Sequence, residues 1–87
     1  MKNRRDRAFK KRFARLPPHI QEQAKIAFEH FKQDIGYPGL HFEYIRKSFC
    51  AVRIGLHYRA VGQRENDTIT WFWIGSHEEY NHLLDQL

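Results

Sequence analysis

The spacing of apolar residues changes once in this chain, near residue 40, and that change limits the fold to a helical half followed by a sheet-forming half. Phe9, Phe13 and Leu16 recur at i, i+4 and i+7 and predict an amphipathic helix from about Arg5 to Arg15. Pro17-Pro18 ends it, and Pro18 suits the first position of a second helix, where a missing N–H removes no hydrogen bond. That helix carries Ile20, Ala24, Ala27, Phe28, Phe31 and Ile35 on one stripe, with Gly36 as its stop and Tyr37-Pro38-Gly39 as the turn out. After residue 40 the period is two. Strands are expected at 41–46, 50–56, 57–64 and 68–74, with Glu65-Asn66-Asp67 as a hairpin turn and a last helix at 77–86. The predicted fold is α+β: a four-stranded antiparallel sheet packed on an N-terminal helical hairpin, with a C-terminal helix, the helices lying on one face. Eighty-seven residues have room for one core, so 1–87 is read as a single domain.

The run Trp71-Phe72-Trp73-Ile74-Gly75-Ser76-His77-Glu78-Glu79-Tyr80 joins the two patterns. Its strand is apolar on both faces near its end, which suits a central strand covered on both sides. Ser76 and Glu79 then fit the S-x-x-E capping box, in which each end satisfies a backbone donor of the other. With Ser76 as N-cap, His77 is the first helical residue and Tyr80 lies three positions on, on the same side. Two readings follow. Either a proton-transfer group and a phenol are held at the mouth of a sheet, or a helix simply starts with an exposed His and a Tyr packed on the core.

Composition narrows the classes. An apolar fraction of 41%, with 15% aromatic, belongs to a folded chain. No apolar run approaches the ~20 residues that span a bilayer, and the charged N-terminus lacks a following apolar stretch, so a soluble, cytoplasmic protein is expected. The single Cys50, between Phe49 and Ala51 in a strand pattern, reads as a buried, inert thiol. Charge is concentrated: residues 1–15 hold Lys2, Arg4, Arg5, Arg7, Lys10, Lys11, Arg12 and Arg15 against Asp6 alone. A basic arm on a nearly neutral body points to a polyanion or an acidic partner segment, or else is a solvated helix face.

Arg53 and Arg59 stand in the string Val52-Arg53-Ile54-Gly55-Leu56-His57-Tyr58-Arg59. If Val52 and Ile54 face the helices, alternation turns Arg53 to the opposite face, and Arg59 shares a face with His57. Two fixed guanidiniums beside an imidazole would make a phosphate clamp, because the guanidinium fork matches phosphate oxygens. The alternative is pairing with Glu43 or Asp67 on an ordinary sheet surface. Metal binding is rejected on spacing: His77 and His82 are five apart, about 140° around a helix, and cannot share an ion. No phosphate-binding glycine loop and no G-x-S-x-G is present.

Several short strings recur in a known order: Phe13 through Leu16-Pro17-Pro18, Tyr37-Pro38-Gly39-Leu40-His41-Phe42, Val52-Arg53-Ile54-Gly55, Tyr58-Arg59-Ala60, and Trp71 through Tyr80. Together they resemble the RelE/ParE superfamily of bacterial toxin–antitoxin toxins, in its RelE-like branch. The resemblance implies a microbial-RNase-like sheet backed by a helical hairpin. It also implies a cytoplasmic toxin that cuts mRNA on the ribosome without metal or other cofactor, and that a cognate antitoxin neutralises. By position, Arg53, Arg59, His77 and Tyr80 match the family's catalytic side chains. Arg5, Arg7, Lys10, Lys11, Arg12 and Arg15 would attract RNA. ParE-like members share the fold and inhibit DNA gyrase instead; a non-catalytic basic interaction module is a further possibility. Departures exist: the Arg53 strand and the Ser76-His77 position differ from RelE itself, and the family's first strand is hard to see in Met1–Asp6.

Overall fold

The structure, a computed structural model, describes residues 1–87. It runs β1 (Lys2–Arg5), α1 (Arg7–Ala14), α2 (Pro18–Gln33), a 3₁₀ turn (Pro38–Leu40), β2 (Glu43–Arg46), β3 (Phe49–Ile54), β4 (Tyr58–Glu65), β5 (Thr68–Ser76) and α3 (His77–Gln86). One five-stranded sheet is ordered β1-β5-β4-β3-β2. The neighbours β2 to β5 pair antiparallel, while β1 lies parallel to β5 from Lys2↔Thr68 to Arg5↔Trp71. The sheet is thus mixed and has one strand more than its apolar pattern predicts.

The extra strand replaces the first turn of the predicted helix. Asp6 breaks the helical reading: its backbone is extended and its carboxylate accepts the Phe9 N–H at 2.9 Å, so α1 starts at Arg7 and not at Arg5. The residues before it satisfy their backbone against β5, with Lys2 N–H donating to Asp67 O at 2.8 Å and Asp6 N–H to Trp71 O at 3.0 Å. At the other end of the hairpin, α2 stops at Gln33, short of the expected Gly36. Asp34 turns extended, and its carboxylate accepts the Gly36 N–H at 2.9 Å in a local side-chain turn.

The hairpin covers one sheet face. Phe9, Ala24, Ala27, Phe28 and Phe31 pack on Leu40, Cys50, Val52, Ile54, Ala60, Ile69, Trp71 and Ile74, with Phe13 at the margin. Trp71, wholly buried, has Phe28 and Phe31 edge-on, with centroids at 5.2 and 5.5 Å. Leu40 enters this core from the 3₁₀ turn, so β2 begins at Glu43 and not at residue 41.

The opposite face is covered too, which corrects the expectation of helices on one side. Ala51, Val61, Trp73 and Tyr80 form a second core, flanked by Ile45, Phe72, Leu83 and Leu84. Strict alternation would send Trp71 and Trp73 to the same face. A bulge prevents it: Val61 pairs with Trp73 and Gly62 with Trp71, leaving Phe72 as an unpaired extra residue. The bulge inverts the phase of β5, so Trp71 serves the hairpin core and Trp73 serves α3. Gly62 permits this close approach, since a Cβ there would lie 2.7 Å from Ile69 Cγ2 and 2.9 Å from Trp71 Cε3. No helix is long and apolar enough to cross a membrane.

Candidate functional site on the sheet face under the C-terminal helix

Arg53 and Arg59 are register partners across β3 and β4. Their neighbours Val52, Ile54 and Ala60 enter the hairpin core, so alternation starts both side chains toward the α3 face, in line with Ala51 and Val61, while Arg53 also lines a cavity of about 230 Å³ with Gln23, Ile26, His30, Tyr37 and Leu40. Both residues are half-buried. Neither is neutralised, because the one ion pair in the molecule joins Arg12 to Glu79. Arg59 Nη1 donates only to the Tyr58 carbonyl, at 2.9 Å, and Arg53 Nε is buried with no partner. Burial lowers the proton affinity of Arg59, the charge of Arg53 lowers it further, and Tyr80 and Glu43 oppose the shift. Two partly desolvated like charges side by side make a position where an anion would be stabilised.

Tyr80 and His77 approach from the start of α3. The predicted capping box is complete: Ser76 Oγ accepts the Glu79 N–H at 3.2 Å, and Glu79 Oε1 accepts the Ser76 N–H at 2.9 Å. Tyr80, three residues into the helix, is 6% exposed, with its ring tilted against Trp73 at 6.4 Å. Burial raises its phenol, Glu43 adds to this, and Arg59 counters it. A ring so covered has no face for a nucleobase. His77 is exposed, its ring 6.2 Å from that of Tyr80, and its N–H donates to the His57 carbonyl at 2.7 Å. His77, His57 and Arg59 line one cavity of about 630 Å³ with Leu56, Ser76 and Glu78. Arg59 therefore joins two groups, Arg53 with Tyr80 and Glu43 on one side and the two imidazoles on the other.

A sequence model of the ParE-like toxin domain matches residues 18–82, most of the chain. The chain belongs to the ParE-like toxin domain family. Comparison with curated protein sequences gives no match. Among solved structures, this ParE-like domain is similar to the RelB-RelE antitoxin–toxin complex from Methanococcus jannaschii, with a TM-score of 0.73 and 18% identity over 91% of this chain and 95% of that one. A RelBE toxin–antitoxin complex from Mycobacterium tuberculosis gives a TM-score of 0.67 at 16% identity, covering 87% and 90% of the two chains. A copper-bound mutant toxin from Helicobacter pylori gives 0.62 at 17% identity, covering 91% and 97%. At such identities these likenesses concern the fold, and they agree with the family assignment.

The basic residues of the ParE-like domain do not form one helix face. Arg5 belongs to β1 and lies over the Phe28 ring at 5.4 Å. Arg4, Arg5 and Lys10 line a cavity of about 550 Å³ with Phe9 and Phe13. Arg7, Lys11 and Arg15 are exposed. Arg12 differs from them all: its Nε donates to Ile74 O at 2.7 Å, its Nη2 meets Glu79 at 3.4 Å, and its guanidinium covers Trp73 at 4.8 Å. It ties α1 to the strand end that carries α3. That contact bridges residues 62 apart and leaves no local signal in the sequence. His57, expected on a strand face beside Arg59 as the imidazole of a phosphate clamp, sits in the β3–β4 turn and not in a strand.

Proposed function

We propose that this ParE-like domain is the toxin of a toxin–antitoxin pair and that it cleaves mRNA on the ribosome in the cytoplasm. The observation that carries the reading is the register pair Arg53–Arg59, neither of which is in an ion pair, with Arg59 sharing a cavity with His77 at the start of α3. In this reading the two guanidiniums hold the scissile phosphate through its non-bridging oxygens and stabilise the charge that grows there. His77 takes the proton from the attacking ribose 2′-hydroxyl, a task for which imidazole is suited near neutral pH. Tyr80 acts through its hydroxyl, orienting Arg59 and the phosphate. The exposed cations Arg5, Arg7, Lys10, Lys11 and Arg15 supply sequence-independent attraction to ribosomal RNA. An antitoxin partner is supported by the two related structures that are antitoxin–toxin complexes.

The family's ParE-like description favours a second reading, inhibition of DNA gyrase on the same fold. One experiment separates the two. Expression of the chain and of His77→Ala is followed by growth, by mapping of mRNA 5′ ends, and by gyrase supercoiling in vitro. The nuclease reading expects new mRNA ends with the parent and a loss of about 10²–10⁴ in cleavage with the variant. Equal growth arrest by both proteins with intact mRNA and inhibited gyrase would establish the second reading.

A further inference from the structure

Cleavage of RNA by its own 2′-hydroxyl requires two proton transfers, one off the attacking oxygen and one onto the departing 5′-oxygen. The groups assigned so far provide one imidazole, and the Tyr80 ring is covered. His57 fills the gap. It is exposed in the turn between β3 and β4, and its carbonyl accepts the His77 N–H at 2.7 Å. That bond lies one step past the last β4–β5 pair, Tyr58↔Ser76, and ties the β3–β4 turn to the first residue of α3. Both residues line the cavity of about 630 Å³ that Arg59 also lines. In an in-line displacement the attacking and leaving oxygens lie on opposite sides of phosphorus, and two imidazoles, one from the β3–β4 turn and one from the start of α3, can flank it.

We infer that His57 is the general acid of this site, a catalytic residue paired with His77 across the cavity; the inference rests on the nuclease reading. The step balances. The 2′-oxygen bonds to phosphorus as His77 takes its proton. The P–O5′ bond breaks, and the 5′-oxygen leaves with the proton held by His57. The products are a 2′,3′-cyclic phosphate and a 5′-hydroxyl, and solvent exchange returns each imidazole to its starting state. Glu78, the other charged group on the cavity wall besides Arg59, faces the same space.

Ribosomes programmed with a short mRNA test this, using the natural phosphodiester or a 5′-bridging phosphorothiolate at the cut position. Sulfur leaves without needing a proton. His57→Ala should slow the natural RNA by about 10²–10⁴ and return to near the parent rate on the sulfur substrate. His77→Ala should stay slow on both. Parent-like cleavage of natural RNA by His57→Ala overturns the inference, as does equal slowing on both substrates or rescue of His77→Ala in its place. A parent protein that cuts neither substrate overturns the nuclease reading itself. The His57 side chain is exposed and its contact to His77 runs through the backbone, so thermal unfolding of His57→Ala should match the parent.

Discussion

Ser76→Ala tests the link between the capped helix start and the residues it carries. The change removes the hydroxyl that accepts the Glu79 N–H at 3.2 Å, and leaves that donor to water at an exposed position. Loss of such a cap costs about 1 kcal/mol. In a domain of this size 1 kcal/mol lowers Tm by roughly 4–8 °C. Glu79→Gln keeps an acceptor for the Ser76 N–H but loses the negative charge at the helix start, worth roughly 0.3–1 kcal/mol. It also loses the Arg12 contact, whose Glu79 side is 58% exposed and which therefore adds little. The Ser76 N–H bond, with help from the Ser76 hydroxyl and Arg12, holds the Glu79 carboxyl below its ordinary value of 4.5, against the opposing effect of burial. A carboxyl depressed in the folded state stabilises above its unfolded pKa, and that stability fades as pH falls through the lower folded value. The gap between parent and Glu79→Gln should therefore be full at neutral pH and close in acid, below about pH 4.5. Urea unfolding of parent, both single variants and the double variant measures each quantity, and a positive coupling energy should appear because the two bonds are reciprocal. A Ser76→Ala midpoint equal to that of the parent would refute the capping argument. A gap that persists unchanged at pH 3 would refute the role of the carboxylate charge.

Three further outcomes follow from the packing. Gly62→Ala places a Cβ 2.7 Å from Ile69 Cγ2 and 3.1 Å from the Thr70 carbonyl, and should cost about 1–3 kcal/mol in urea unfolding; parent-like stability would mean that the bulge yields easily. Arg12→Ala should lower Tm, because the Ile74 carbonyl and Trp73 lose their partner, whereas Lys10→Glu with Lys11→Glu should leave Tm unchanged and, on the proposed function, flatten the salt dependence of ribosome binding. If the two behave alike in both assays, the division of labour drawn between these cations is wrong. Cys50 is wholly buried, and that burial pushes its thiol up to about 11, so at pH 8 iodoacetamide should label it at the rate of unfolding and not faster. Labelling within seconds in native buffer would contradict this placement.

Much of this arrangement could be read from the chain. The stripe of α2, the capping box and the outward turn of Arg53 all follow from local spacing, since Val52 and Ile54 are apolar anchors on either side of that arginine. Tyr80 illustrates the limit: its position was legible, but its burial depends on Trp73, which reaches that face only through the bulge at Phe72. One unpaired residue inverts the faces of everything after it, and periodicity carries no mark of it. The first strand was missed for a different reason. Lys2–Arg5 has no apolar alternation, and its conformation comes from hydrogen bonds to the edge of β5. The sign that a helix could not begin at Arg5 was Asp6, a good N-cap residue that the Phe9–Phe13 spacing overshadowed.

The two outer strands of the sheet also bear on how the protein behaves when crowded with copies of itself. β5, the most apolar strand, is interior only because β1 covers its flank. The exposed rim that β1 offers is four residues long and includes Lys2, Arg4 and Arg5, so a second copy adding there would bring like charges together. The opposite rim, β2, is equally short and breaks its pairing between Tyr44 and Arg46. Neither offers the long, flat, uncharged backbone that templates fibril growth. A chain with two tryptophans in one strand should therefore stay dispersed at concentrations where a variant with Lys2, Arg4 and Arg5 neutralised would thicken into β-rich aggregate.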